Sequence, residues 1–167
     1  MNLTRVPPIR RIQELPVTHE ATIPPDYLDS MGHMNVMWYT HLFSQGMQGL
    51  FEMVGLGHEY ISTTNSGCFA LEKHFKYLAE VRVGQHVKIH SRLVARNEKR
   101  FHVFSFMVNE TRSRVSATSE TVGTHVDLTL RRSSPLPDSV ATQMDELMAQ
   151  QEQLELRIPL SGLLSVG

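Results

Sequence analysis

Between Val36 and Val54 the apolar residues Tyr39, Leu42, Phe43, Met47, Leu50, Phe51 and Val54 recur at the i, i+3, i+4 spacing of one helix face. Glu52 is the only Asp, Glu, Lys or Arg between Val36 and Gly57, and Gly46 and Gly49 leave room for a neighbouring backbone. The spacing therefore predicts a long helix buried on most sides and stopped by Gly55 and Gly57. Beyond a polar loop through Asn65 and Gly67 the period changes to two, which predicts strands near 68–79, 85–96, 100–109 and 114–130. In the first, Phe69, Leu71, Phe75 and Tyr77 share a face with Lys73; in the second, Val87, Ile89, Leu93 and Ala95 oppose His86, Lys88, His90 and Arg92. One face is expected to be core and the other polar. Short polar connections at 97–100 and 109–114 suit hairpins, so the expectation is an antiparallel meander.

Upstream, Val17 to Ile23 alternates loosely until Pro24 and Pro25 end it, which predicts a first short strand. Residues 1–16, with Pro7, Pro8 and Pro16, read as an extended arm, and Asp138 to about Leu154 as an amphipathic helix. The expected organisation is an α+β domain over 17–137, with a five-stranded sheet around a central helix, flanked by the arm at 1–16 and a helix and tail at 138–167.

Composition narrows the function classes. A net charge of -1 over 167 residues gives no field for gripping nucleic acid. No segment approaches about 18 continuous apolar residues, so no membrane span is expected. The single cysteine, Cys68, allows no internal disulfide and suits a reducing, cytoplasmic setting. Its bland reading, a small buried hydrophobe, outweighs that of a nucleophile. Nine histidines are present, but His86 and His90 lack the spacing and the carboxylate partner of a metal site, and none is expected.

Chemistry gathers instead in Tyr27 to Tyr39, where Asp29, Gly32, His33 and Asn35 precede the start of the long helix, whose first N–H groups lack helical partners. Each residue also has a plain structural job. Asp29 can shape a turn, Asn35 can cap the helix, Gly32 can supply an unusual backbone angle and His33 can bond nearby backbone. Trp38 and Tyr39 can be packing residues or line a pocket.

The run from Asp29 to Tyr39, with Gly32, His33 and Asn35 at their places, resembles the D-x-x-G-H-x-N-N-x-x-Y signature of acyl-CoA thioesterases of the 4-hydroxybenzoyl-CoA thioesterase type. The element order is likewise similar to the hot-dog fold, in which a curved sheet wraps a central helix. The chain departs from the signature at Val36, where the family has a second Asn, and in the bulky Trp38. The resemblance implies that Asp29 attacks the thioester carbonyl or activates a water that does. The backbone N–H of Val36 would stabilise the oxyanion, since an amide survives a change of side chain. It further implies an acyl-CoA ligand with no cofactor, and a homodimer or a dimer of dimers with the pocket between subunits. Coenzyme A carries phosphates, for which Arg96, Lys99, Arg100, Arg131 and Arg132 are candidates. Two other readings compete: a non-catalytic acyl-CoA-binding module, and an enoyl-thioester hydratase using Asp29 and His33 as acid and base.

Overall fold

The computed structural model describes residues 6–167, so positions 1–5 of the expected arm lie outside the described residues. In chain order the elements are α1 (Ile9–Ile12), β1 (Val17–Thr22), a 3-10 turn (Pro25–Tyr27), α2 (Val36–Met53), α3 (His58–Thr64) and β2 (Ser66–Tyr77). There follow β3 (His86–Arg96), β4 (Arg100–Asn109), β5 (Arg114–Asp127), the two-residue β6 (Arg132–Ser133) and α4 (Asp138–Glu152). The sheet runs β1-β3-β4-β5-β2, all antiparallel, with β6 added beside the end of β5. It thus has six strands where five were expected, and the meander holds only for β3 to β5. The strand β2 crosses to the far side of β5, a neighbour that period-two alternation does not specify, because alternation reports which face is buried and not which strands pair.

The α2 helix lies across the concave face of this sheet. At its start Tyr39, Leu42 and Phe43 pack with Ile89, Met107 and Ala117; further along, Leu50 and Val54 pack with Leu93 and Phe101 and with Met144 of α4. Gly46 and Gly49 are where helix and β1 meet. A Cβ on Gly46 would fall 2.5 Å from the Ile89 side chain, and one on Gly49 would collide with the Thr18 carbonyl oxygen. The expectation of burial on most sides is corrected, because the sheet curls round one side only and Val36, Met37 and Met53 stay exposed on the other.

Two bulges re-aim side chains that the alternation had grouped. In β2 the register shifts between Ala70 and Glu72, so Leu71 is an extra residue and Phe69 stands opposite Thr124 while Phe75 stands opposite Ser119. Phe69 therefore faces the convex side, away from Lys73, Phe75 and Tyr77. In β3 the shift between Leu93 and Ala95 turns Ala95 away from Val87, Ile89 and Leu93 in the same way.

The convex face is not the polar surface that alternation predicts. Phe104, Phe106 and Val108 point outward there and are covered by Ile12 and Leu15 from the N-terminal segment and by Leu156 from the segment after α4. The arm thus contains a helical turn whose Ile12 is fully buried. Glu120, also on this face, takes His102 Nε2 at 2.9 Å and the Ser161 N–H at 2.7 Å, while Asn97 Nδ2 donates to the Val166 carbonyl at 2.6 Å. Beyond the reach of β1, the Gln151 side chain stands in for a strand, accepting from Leu93 N–H at 2.9 Å and donating to the Ser91 carbonyl at 3.1 Å.

Buried histidines make stability depend on pH. His90 Nδ1 donates to the Leu15 carbonyl at 3.0 Å and its Nε2 is buried without a partner; His125 lies between the Tyr60 hydroxyl at 2.7 Å and Ser134. Burial pushes both imidazoles below the usual value of 6.5. The unfolded chain gains their protons near pH 6.5 while the folded chain does not, so stability is full above that value and drains as pH falls below it. Thermal melts should show a falling midpoint from about pH 7.5 to about 5.5. His90→Gln should shallow that slope, and an unaltered slope would contradict this assignment.

Candidate active site

The loop before α2 is closed by backbone contacts. Asn35 N–H donates to the Tyr27 carbonyl at 2.8 Å, Leu28 and Met34 form an isolated antiparallel bridge, and Met34 N–H donates to the Val81 carbonyl at 2.7 Å. Residues 29–33 are thereby held as a tight turn, with Asp29 N–H donating to the His33 carbonyl at 3.0 Å and Gly32 N–H to the Asp29 carbonyl at 3.2 Å. Gly32 has φ +83°, a backbone state that a side chain disfavours, which is its job in the turn. Within the turn, Asp29 Oδ1 accepts the Met31 N–H at 2.8 Å and Oδ2 lies 3.4 Å from His33 Nδ1. The first bond fixes the carboxylate, and the second oxygen remains for chemistry.

Asn35 caps the helix. Its Oδ1 accepts the Met37 N–H at 2.9 Å and its carbonyl accepts the Trp38 N–H at 2.9 Å, whereas among the described residues nothing accepts the Val36 N–H. That unpaired donor sits at the positive end of an 18-residue helix.

Asp29, His33, Asn35, Val36 and Tyr39 line one side of a cavity of about 520 Å³, and Tyr77, Leu78, Ala79 and Glu80 line the other. The Tyr39 hydroxyl donates to the Ala79 carbonyl at 3.4 Å, its ring meets Tyr77 edge to face at 5.3 Å, and burial raises its phenol above the usual value. A carboxylate oxygen, a free amide at a helix N-terminus and a mostly apolar chamber together can deliver a nucleophile to a carbonyl and hold the resulting oxyanion.

Residues 23–144 match the family model of the thioesterase-like superfamily. The chain belongs to that superfamily. Thioester hydrolysis is its reaction class. A betainyl-CoA thioesterase of Pseudomonas aeruginosa is 28% identical over 130 residues, covering 78% of this chain and 82% of the relative. An L-carnitine dehydrogenase/betainyl-CoA thioesterase of Agrobacterium fabrum is 30% identical over 134 residues, covering 80% of this chain but 27% of that longer protein. A Staphylococcus aureus protein solved in complex with CoA superposes with a TM-score of 0.76 at 24% identity, over 86% of this chain and 95% of that one. At that identity the likeness speaks for the fold alone, and the fold is the hot-dog.

Against this family background the other predicted site residues fall outside the cavity. Trp38 does not line it; its ring stacks on Tyr27 at 3.7 Å with His41 at its edge. Arg96 is engaged by both carboxylate oxygens of Asp145 in α4, which holds that carboxyl below its usual value. Arg100 pairs with Thr124, while the Tyr77 end of β2 pairs with Ala117, seven residues along β5. At about 3.4 Å per residue, Arg100 stands roughly 24 Å from the cavity side of the sheet. Lys99 directly precedes Arg100, and Arg131 stacks over Phe69 beside Arg132 in the same far region. Cys68 is also remote, and burial pushes its thiol up to about 12, so it stays protonated. Tyr77 and Glu80, by contrast, were missed, since nothing in their sequence neighbourhood ties the end of one strand to residue 29.

Proposed function

We propose that this protein hydrolyses an acyl-coenzyme A thioester to the free acid and coenzyme A, with Asp29 as nucleophile or general base and the Val36 N–H as oxyanion donor. The carrying observation is the Asp29 Oδ2, which takes no backbone N–H and lies 3.4 Å from His33 Nδ1, and the unpaired Val36 amide on one wall of the cavity. Asp29 either adds to the thioester carbonyl or takes a proton from the water that adds. The tetrahedral oxyanion then collapses with cleavage of the C–S bond, giving the free acid directly in the second case and, in the first, an acyl-Asp29 anhydride that a water hydrolyses to the acid and the regenerated carboxylate. A thiolate of pKa about 8.5 leaves at neutral pH without a strong acid, which a site with one fixed carboxylate suits. His33 positions Asp29 from 3.4 Å.

The helix offers a clean test. Val36 is the first helical residue, where proline is tolerated, and Asn35 at φ −62°, ψ 143° already has the conformation favoured before proline. Val36→Pro should keep the fold and thermal midpoint while lowering kcat by about 10². Full activity in a folded variant would exclude the amide from the mechanism.

No lysine or arginine lines the cavity, whereas two carboxylates and two tyrosine rings do, which favours a neutral or cationic acyl group. Betainyl-CoA, the substrate in the relatives' names, is accordingly the substrate of choice for that assay. The open face of α2 and the edge of β2, where Phe69, Leu71, Tyr77 and Leu78 are exposed, support a homodimer joined along that edge. A lone cysteine held as the thiol supports a cytoplasmic setting. Among the described residues no helix is long and apolar enough to cross a membrane.

A further inference from the structure

Next to the Asp29 cavity, and sharing Glu80 with it, lies a second hollow of about 150 Å³ whose other walls are Arg82, Gln85, Arg112 and Arg114. The β2–β3 crossover connection and the β4–β5 hairpin, far apart in sequence, build it. Gln85 Oε1 accepts the Arg82 N–H at 3.0 Å and Asn109 Nδ2 at 2.8 Å, and His86 N–H donates to Thr111 at 2.9 Å, which locks the β2–β3 turn against the β4–β5 turn. Three guanidinium groups face one carboxylate there. Glu80 Oε1 takes Arg82 through Nε at 2.9 Å and NH2 at 2.6 Å. Glu110, the acid on the β4–β5 hairpin, accepts from Gln13 instead. Among the described residues no carboxylate pairs with Arg112 or Arg114. Arg114 donates only to the Glu80 carbonyl, at 3.1 Å, and its Nε is buried without a partner. A buried charged donor left unpaired is costly unless a ligand completes it. Two surplus positive charges around a small polar hollow match a phosphate, whose oxygens accept guanidinium bonds in pairs.

We propose that Arg82, Arg112 and Arg114 form a phosphate-binding subsite at the mouth of the Asp29 cavity, taking a phosphate of the coenzyme A moiety. The subsite rests on the acyl-CoA reading above. It transfers the anchoring role within one chain from the remote Arg96, Lys99, Arg100, Arg131 and Arg132 to the cluster that adjoins the cavity. Arg82 and Arg112 are exposed while the thioester cavity lies behind Glu80, so the anion enters from solvent, as the nucleotide end of coenzyme A would.

The test compares Arg112→Ala, Arg114→Gln and, as a counter-variant, Arg131→Ala, using an acyl-CoA, its dephospho-CoA analogue and the same acyl group on pantetheine. Binding of free coenzyme A is followed alongside by calorimetry. Arg112→Ala and Arg114→Gln should raise KM for the acyl-CoA about tenfold or more with kcat held, and weaken coenzyme A binding equally, while leaving the pantetheine thioester unaffected. If the wild-type preference for acyl-CoA over dephospho-CoA disappears in these variants, the bound group is the 3′-phosphate. If it persists, the bound group is the diphosphate. Unchanged KM and coenzyme A affinity, an equal rise for the pantetheine thioester, or a loss confined to Arg131→Ala would overturn the subsite. A wild type that binds coenzyme A through Arg112 yet releases no thiol would keep the subsite and refute the hydrolase reading.

Discussion

Asp29→Asn yields a folded protein that still binds acyl-CoA but releases coenzyme A at least about 10³-fold more slowly. The asparagine oxygen can keep the bond from Met31 N–H that holds the turn, so the loop should retain its shape. What disappears is the anionic oxygen beside His33, and with it either the nucleophile or the base. Thiol release monitored under single turnover, with affinity measured separately, distinguishes the chemical loss from a binding loss. A variant that hydrolyses at the wild-type rate would remove Asp29 from the mechanism.

Gly49→Ala should cost stability on the order of 3 kcal/mol or more, the upper range for forced overpacking. The new methyl would occupy the position of the Thr18 carbonyl oxygen of β1, a backbone atom that no rotamer change can move. Relief therefore requires lifting α2 from the sheet, which also shifts the helix start that carries Val36 and borders Asp29. Chemical denaturation should show a lower midpoint, and activity should fall with it. Gly32 makes a useful contrast, since a Cβ there would meet nothing within 4 Å and the cost would come from its φ of +83° alone. An alanine at 49 as stable as the wild type would mean that helix and strand can separate without loss.

What the sequence made legible follows from the range of each signal. The long helix and the four main strands are written in local periodicity, and α2 runs 36–53 where the spacing predicts 36–54. The site loop was legible through a spacing that brings one carboxylate, a left-handed glycine and a capping asparagine together. Strand neighbours were not legible, because the pairing of β2 with β5 joins residues such as Gly67 and Val126 that share no local pattern. Bulges at Leu71 and Val94 were hidden for a related reason: one inserted residue in an apolar run reads as continued alternation. The helix α3 went unread because His58 to Thr64 has no buried residue to mark a face. Nothing local in the sequence says how far Arg96, Lys99, Arg100, Arg131 and Arg132 lie from Asp29, because that distance is set by which strand ends the sheet brings together.

The segment after α4 crosses the convex surface, seats Leu156 and Leu164, and ends beside Arg100. A molecule whose own ends upholster that surface has no bare sheet to lay against another sheet. The convex face is thus filled from within the chain, whereas Val36, Met37 and Met53 stay exposed on the α2 side.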